Sequence, residues 1–335
     1  MSPKERFFAN LQGKETDRPS VINPTSIATI ETCSVLGVNF SEVHLNADKM
    51  CAVAAYGYEH LGFDSVMPYF SVLQEAAALG AVIDWGTGNA MPAQRSALFD
   101  DPSQFKFSEN FLDLLPAKTV IDSIKLLRAR LGNDALIIGK VMGPWTLSYH
   151  LYGVENFLID TVAEPEKARA FLEAFKPVTM AFAAAQFAAG ADMVTLADHA
   201  TADLVSPSAY AGFLLPLHQE IVKYFGGGKL ILHCCGNTLD RIHLFAKAGF
   251  GLFHFDSKND IVASMAAAGS MKLTGCVNNP EILLNGTPAD VECQVKTIAA
   301  AGIRFIAPEC AVPLNVKNIN LAAIARAVDS VDLQP

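Results

Sequence analysis

Short, continuous apolar runs recur along the chain, separated by longer stretches with helical periodicity. The runs are Ser20–Thr25, Ser65–Phe70, Ala135–Met142, Asp192–Ala197, Lys229–Cys235, Gly251–Asp256, Met271–Val277 and Ile303–Ala307. Most lack polar alternation, which is the pattern of parallel strands covered on both faces. Thr287-Pro288 and Ser206-Pro207 each place a hydroxyl cap before a proline at the first helical position. Strands alternating with helices predict a parallel sheet, and eight of them predict a closed (β/α)8 barrel. No low-complexity linker divides the chain, so residues 1–335 are expected to form a single barrel domain. The segment 71–108 is long for one connection. It is expected to be an insertion near the barrel mouth, with Trp85-Gly86 and Met91-Pro92 as turn signals.

Composition narrows the function. Charged residues make up 18% of the chain against a usual quarter, and the net charge is −9, so the basic footprint of a nucleic-acid binder is missing. The start, Met1 to Glu15, mixes Phe7, Phe8 and Leu11 with Lys4, Glu5, Arg6 and Lys14 and lacks the apolar centre of a signal peptide. The uncharged stretch Pro177 to Ala191 is too short to span a membrane and reads as a buried barrel helix. A cytoplasmic protein is expected, and its cysteines then read as thiols or metal ligands rather than disulfides.

Barrel active sites lie at the carboxyl ends of the strands. The fifth run ends in Leu232-His233-Cys234-Cys235-Gly236-Asn237, and the eighth leads into Ala307-Pro308-Glu309-Cys310. Side chains alternate along a strand, so His233 and Cys235 point one way and Cys234 the other. Cys310, from a strand end elsewhere on the rim, can supply a third donor; Cys276, which ends the seventh run, competes for that place. One imidazole and two thiolates suit zinc and leave a coordination position open. Such a centre sums to zero charge, and a third thiolate makes it negative, which favours a nucleophilic thiol over hydroxide. The plainer alternative is packing, since thiols are common in barrel interiors; Cys33, Cys51, Cys234 and Cys293 read that way.

The segment Leu232-His233-Cys234-Cys235-Gly236-Asn237-Thr238 resembles the His-x-Cys-Gly-Asn-Thr stretch of the methylcobamide:coenzyme M methyltransferases, a group within the uroporphyrinogen decarboxylase superfamily. Lys4-Glu5-Arg6-Phe7 through Asp17-Arg18-Pro19, Gln74-Glu75-Ala76, Gly143-Pro144-Trp145-Thr146, Leu283-Leu284-Asn285-Gly286-Thr287-Pro288 and Ala307-Pro308-Glu309-Cys310 carry the same likeness along nearly the whole chain. The resemblance implies a barrel of the uroporphyrinogen decarboxylase type. It also implies zinc on His233, Cys235 and Cys310, and a methyl donor carried by a separate corrinoid protein. The expected reaction is a step of one-carbon metabolism: the acceptor thiol, coenzyme M in the family, binds zinc as thiolate and attacks the corrinoid's methyl carbon. This chain departs from the family at Gly275-Cys276-Val277-Asn278-Asn279 and at Glu309-Cys310-Ala311, where Glu309 is expected to put a carboxylate beside the metal.

Three alternatives remain: a methylcorrinoid:tetrahydrofolate methyltransferase, a uroporphyrinogen decarboxylase-like enzyme and a non-catalytic corrinoid-binding accessory. A tetrapyrrole decarboxylase needs arginines at its mouth, yet no Lys or Arg stands between Arg18 and Lys49. Glu309 and Cys276 motivate the accessory. Around the centre, Asp256 is a candidate fourth ligand or partner of His233, and Asp198 with His199 is a candidate for substrate positioning. Trp145 and Tyr149 are candidates for packing on the corrinoid. Lys258 and Lys317 are candidate donors for a sulfonate. Gly226-Gly227-Gly228 precedes a strand rather than a helix and is not expected to bind phosphate.

Overall fold

The structure is a computed structural model and describes residues 1–331; residues 332–335 of the single-domain expectation lie outside them. All eight apolar runs coincide with a strand of one parallel sheet, the last strand ending one residue past its run. These are β1 (Ser20–Val21), β2 (Ser65–Val66), β3 (Leu136–Met142), β4 (Met193–Ala197), β5 (Leu230–His233), β6 (Leu252–Phe255), β7 (Lys272–Val277) and β8 (Phe305–Pro308). Around the ring the order is β1-β8-β7-β6-β5-β4-β3-β2. The seam between β1 and β2 is joined differently. The Asp64 amide donates to the Val21 carbonyl at 2.7 Å, and the Asn23 amide donates to Ser65 Oγ at 2.9 Å. The barrel thus closes on a side-chain-assisted seam, and β1 and β2 are shorter than the apolar runs that contain them.

The helices wrap the sheet with the caps the sequence predicts. Thr287 Oγ1 accepts from the Asp290 amide, and Ser206 Oγ accepts from the Ala209 amide. The uncharged stretch Pro177 to Ala191 forms the second half of the helix Pro165–Ala189, which carries Pro177 internally, and ends two residues beyond it. Among the described residues no helix is long and apolar enough to cross a membrane. Gly227 serves close packing: a Cβ there would sit 2.0 Å from the Gly249 carbonyl oxygen.

Residues 71–108 form a short helix Gln74–Ala78, an antiparallel ribbon pairing Ile83–Asp84 with Ala93–Gln94, and a turn of 3-10 helix at Pro102–Gln104. The segment is tied to the carboxyl side of β3. The Met142 amide donates to Glu75 Oε1 at 2.8 Å, and the Leu98 and Phe99 amides donate to the Leu151 carbonyl.

Candidate metal centre

Register decides which side chains meet. Met142, Ala197, His233, His254 and Thr274 stand side by side across β3 to β7. His254 Nε2 crosses β7 to reach the Pro308 carbonyl at 2.7 Å, so this row faces the barrel lumen. His233 ends β5, and the chain turns immediately after Cys235 because Gly236 adopts φ +81°, a conformation that favours glycine. Glu309 and Cys310 follow β8 directly.

Here three donors converge. His233 Nε2 lies 3.0 Å from Cys235 Sγ and 3.5 Å from Cys310 Sγ, and the two sulfurs are 2.9 Å apart. Each offers one ligand atom, all within 4.8 Å of one another, close enough for a single ion to touch all three. Burial holds His233 well below the usual imidazole range, so its ring is neutral and its lone pair available. The contact between the thiols pulls Cys310 below an ordinary thiol, while the same contact and burial push Cys235 up. Cys234 is on the other face, fully buried, and pushed up to about 12 by burial. Cys276 is also buried and raised to about 12, and it does not join the donor group. The donor set fits zinc by type and by spacing.

The acidic residues around the centre are otherwise engaged. Glu309 does not stand at the metal centre: Oε2 accepts the Ser257 amide at 3.0 Å and Oε1 the Asn279 amide at 2.8 Å. It ties together the loops after β6, β7 and β8. Asp256 accepts the Gly236 and Lys258 amides, both at 2.9 Å, and it lies outside the donor group. Nor does it orient His233, whose Nδ1 has no hydrogen-bond partner among the described residues. In both cases rim amides that would otherwise be orphaned are satisfied by a buried carboxylate.

Asp198 is buried and fully used. It accepts from the Thr146 amide at 2.8 Å and faces His218 Nε2 at 3.0 Å, while His218 Nδ1 meets Tyr210 Oη at 2.9 Å. The carboxylate thereby anchors the helix Pro144–Leu151 to the end of β4. His199 follows it; its amide donates to Thr146 Oγ1, and its half-buried ring is held below the usual imidazole range by burial. Trp145 is 1% exposed, with its indole N–H donating to Tyr149 Oη at 2.6 Å, so it offers no open face to a planar ligand. Lys258 and Lys317 are exposed at the surface.

Lys140, which sequence reasoning passed over, is a buried cation in the barrel. It interrupts an apolar strand, β3, and is 4% exposed. Its Nζ donates to the Ser71 carbonyl at 3.0 Å and lies 4.4 Å from the centre of the Tyr69 ring. Burial lowers it to about 8, opposed by the negative charges of Glu75, Cys310 and Cys235. Tyr69 Oη donates to Glu75, which is itself fully buried. A lysine inside a continuous apolar strand was the available signal.

At the opposite end of the barrel a groove of about 1050 Å³ opens beside the amino ends of β7 and β8, lined by Lys14, Asp17, Lys272 and Arg304 among others. It holds none of the sulfur donors.

Residues 2–331 match the family described as uroporphyrinogen decarboxylase (URO-D). The chain belongs to that family. Within it, the chain is similar to a methylated-thiol–coenzyme M methyltransferase of Methanosarcina mazei, with 28% identity over 98% of this chain and 89% of that one. It is also similar to a methylcobamide:CoM methyltransferase of Methanosarcina barkeri, with 29% identity over 97% of both chains. A solved methyltransferase from Methanosarcina mazei superposes with a TM-score of 0.94 at 26% identity, covering 98% of each chain.

Proposed function

We propose that this member of the family is a zinc-dependent methyltransferase that moves a methyl group from a methylated corrinoid, carried by a partner protein, to a thiol acceptor such as coenzyme M. The observation that carries the proposal is the convergence of His233, Cys235 and Cys310 on one point at the barrel mouth. The activities named for the similar Methanosarcina proteins supply the reaction class.

His233, Cys235 and Cys310 would hold the ion. Zinc bound there supplies the Lewis acidity that lowers the acceptor thiol's pKa. The protein's own groups do the rest. Neutral His233 adds no charge to the centre. Glu309 and Asp256 fix the rim loops through their backbone amides, which keeps the donors in place. In the transfer a carbon–sulfur bond forms, the cobalt–carbon bond breaks, its electron pair stays on cobalt, and the thiol proton passes to solvent. The segment 71–108, joined to the carboxyl side of β3, is the proposed contact for the corrinoid protein.

The test is a paired anaerobic assay with methylcobalamin and either coenzyme M or tetrahydrofolate, following the reduced corrinoid. Turnover with coenzyme M and none with the folate is expected. The reverse result would transfer the reading to the folate enzyme, and no turnover with either would favour the accessory protein.

A second expectation concerns the proton. Saturating the zinc form with thiol at neutral pH should release about one proton, since a thiol binds the metal as thiolate. Calorimetry in buffers of different ionisation enthalpy measures it. Release of no proton on binding would sink the thiolate mechanism.

A further inference from the structure

His254 touches both halves of the donor set without belonging to it. It is fully buried and lies outside the three-donor group. Strand β6 places it in register with His233 of β5, and the two rings pack with centroids 4.5 Å apart at an interplanar angle of 33°. At its far edge the ring meets β8, where Nε2 donates to the Pro308 carbonyl at 2.7 Å. Pro308 ends β8, and Cys310 is two residues further on.

The sequence leaves that carbonyl free. Along the ladder between β1 and β8, the Ser20 amide donates to the Arg304 carbonyl and the Ile22 amide to the Ile306 carbonyl, both at 2.9 Å. The next rung would come from residue 24, and Pro24 has no N–H. On the β7 side the Asn279 amide is taken by Glu309 Oε1. A buried carbonyl needs a donor, and His254 supplies it. A carbonyl only accepts, so the His254 proton sits on Nε2. Burial lowers the ring to about 4, which keeps it neutral.

His233 in turn needs an outside constraint. A metal-bound imidazole is ordinarily oriented by a hydrogen bond from its other ring nitrogen. Here Nε2 faces the sulfurs, and Nδ1 has no hydrogen-bond partner among the described residues. The His254 backbone favours protonation of the ring without reaching hydrogen-bond geometry. The packed face of the His254 ring limits the rotation that such a bond would otherwise fix.

We propose that His254 is a positioning residue of the metal centre: its ring sets the plane of His233, and its N–H sets the place of Cys310 by holding the Pro308 carbonyl. One side chain thereby fixes the spacing of the two strand ends that deliver the donors. The inference rests on the reading of His233, Cys235 and Cys310 as a metal centre and adds to it a residue that is not a ligand.

Three variants separate the contacts. His254→Phe keeps a flat ring but has no N–H, His254→Gln keeps a donor but has no ring, and His254→Ala removes both. Zinc affinity is measured by competition with a chromophoric chelator, and coordination by the absorption spectrum of the cobalt-substituted protein. Thermal unfolding of the metal-free form reads stability separately. His254→Ala should weaken zinc binding by roughly ten- to a hundred-fold, the range for a group that supports a ligand. The Phe and Gln variants should each recover part of that loss. Thiolate-to-cobalt charge-transfer bands should persist in all three, because both sulfurs remain ligands, while the ligand-field bands should shift. The Phe and Gln variants fill the site and carry the comparison if His254→Ala does not fold. Wild-type affinity with a wild-type spectrum in either of them, whatever its unfolding temperature, would overturn the proposal, because each lacks one of the two contacts. Wild-type protein that takes up neither zinc nor cobalt would overturn the metal centre itself.

Discussion

Cys235→Ala and Cys310→Ala should each reduce zinc from about one per chain to a small fraction, while Cys234→Ala should leave it unchanged. Removing even a group that only supports a ligand lowers metal affinity or activity by about 10–100-fold, so loss of a direct ligand should exceed roughly a hundred-fold in turnover. The contrast among neighbours gives the experiment its power. Cys234 and Cys235 are adjacent, but Cys235 lies 3.0 Å from His233 Nε2 and 2.9 Å from Cys310, whereas Cys234 is fully buried on the other face. The Cys234→Ala protein should lose stability only, as expected for truncation of a buried thiol. Elemental analysis after exhaustive dialysis, paired with turnover, reads both quantities. Metal retained in Cys235→Ala and lost in Cys234→Ala would show that the strand end faces the other way.

The strands were legible because a parallel strand covered on both faces must be apolar throughout, and helices supply the intervening period. The ends of β1 and β2 were not. Their apolar runs continue to Thr25 and Phe70, but pairing stops at Val21 and Val66 because the seam is made by Asp64, Asn23 and Ser65. Nothing in hydrophobic periodicity distinguishes a ladder from a seam.

The same limit separates the donors from the carboxylates. His233 and Cys235 could be paired by strand alternation, a local rule. Asp256 and Glu309 also stand at strand ends, and sequence offers no way to see that the amides of Gly236, Lys258, Ser257 and Asn279 claim their oxygens. Those partners come from other loops of the rim. Lys140 was visible as an anomaly, a charge within β3, but its relation to the thiols depends on the curvature of the whole sheet.

Asp64→Ala should cost about 3–5 kcal/mol, the range for breaking a buried ion pair from one side. Asp64 stands immediately before β2 and is almost fully buried. Oδ1 accepts from Arg6 Nη1 at 2.8 Å and Arg18 Nη2 at 2.9 Å, and Oδ2 accepts from Arg18 Nη1 at 3.0 Å and the Val21 amide at 2.8 Å. Its backbone bridges the seam as well, donating to Val21 and accepting from Leu136 of β3 at 3.2 Å. The alanine variant keeps those backbone bonds but leaves the Val21 amide without its acceptor and takes the buried carboxylate away from Arg6 and Arg18. Arg6 would keep Asp17 as a partner, and Arg18 would keep the Pro19 carbonyl and Asp329, whose side chain is 64% exposed. Exposed pairs contribute little, so they cannot offset the loss. Against a total stability of roughly 5–15 kcal/mol, the expected change is a large fraction and should be plain in the denaturant midpoint. Asp64→Asn keeps an acceptor oxygen for Val21 and should lose less. A midpoint for Asp64→Ala within about 0.5 kcal/mol of wild type, the range of ordinary surface changes, would show that the seam closes without this carboxylate.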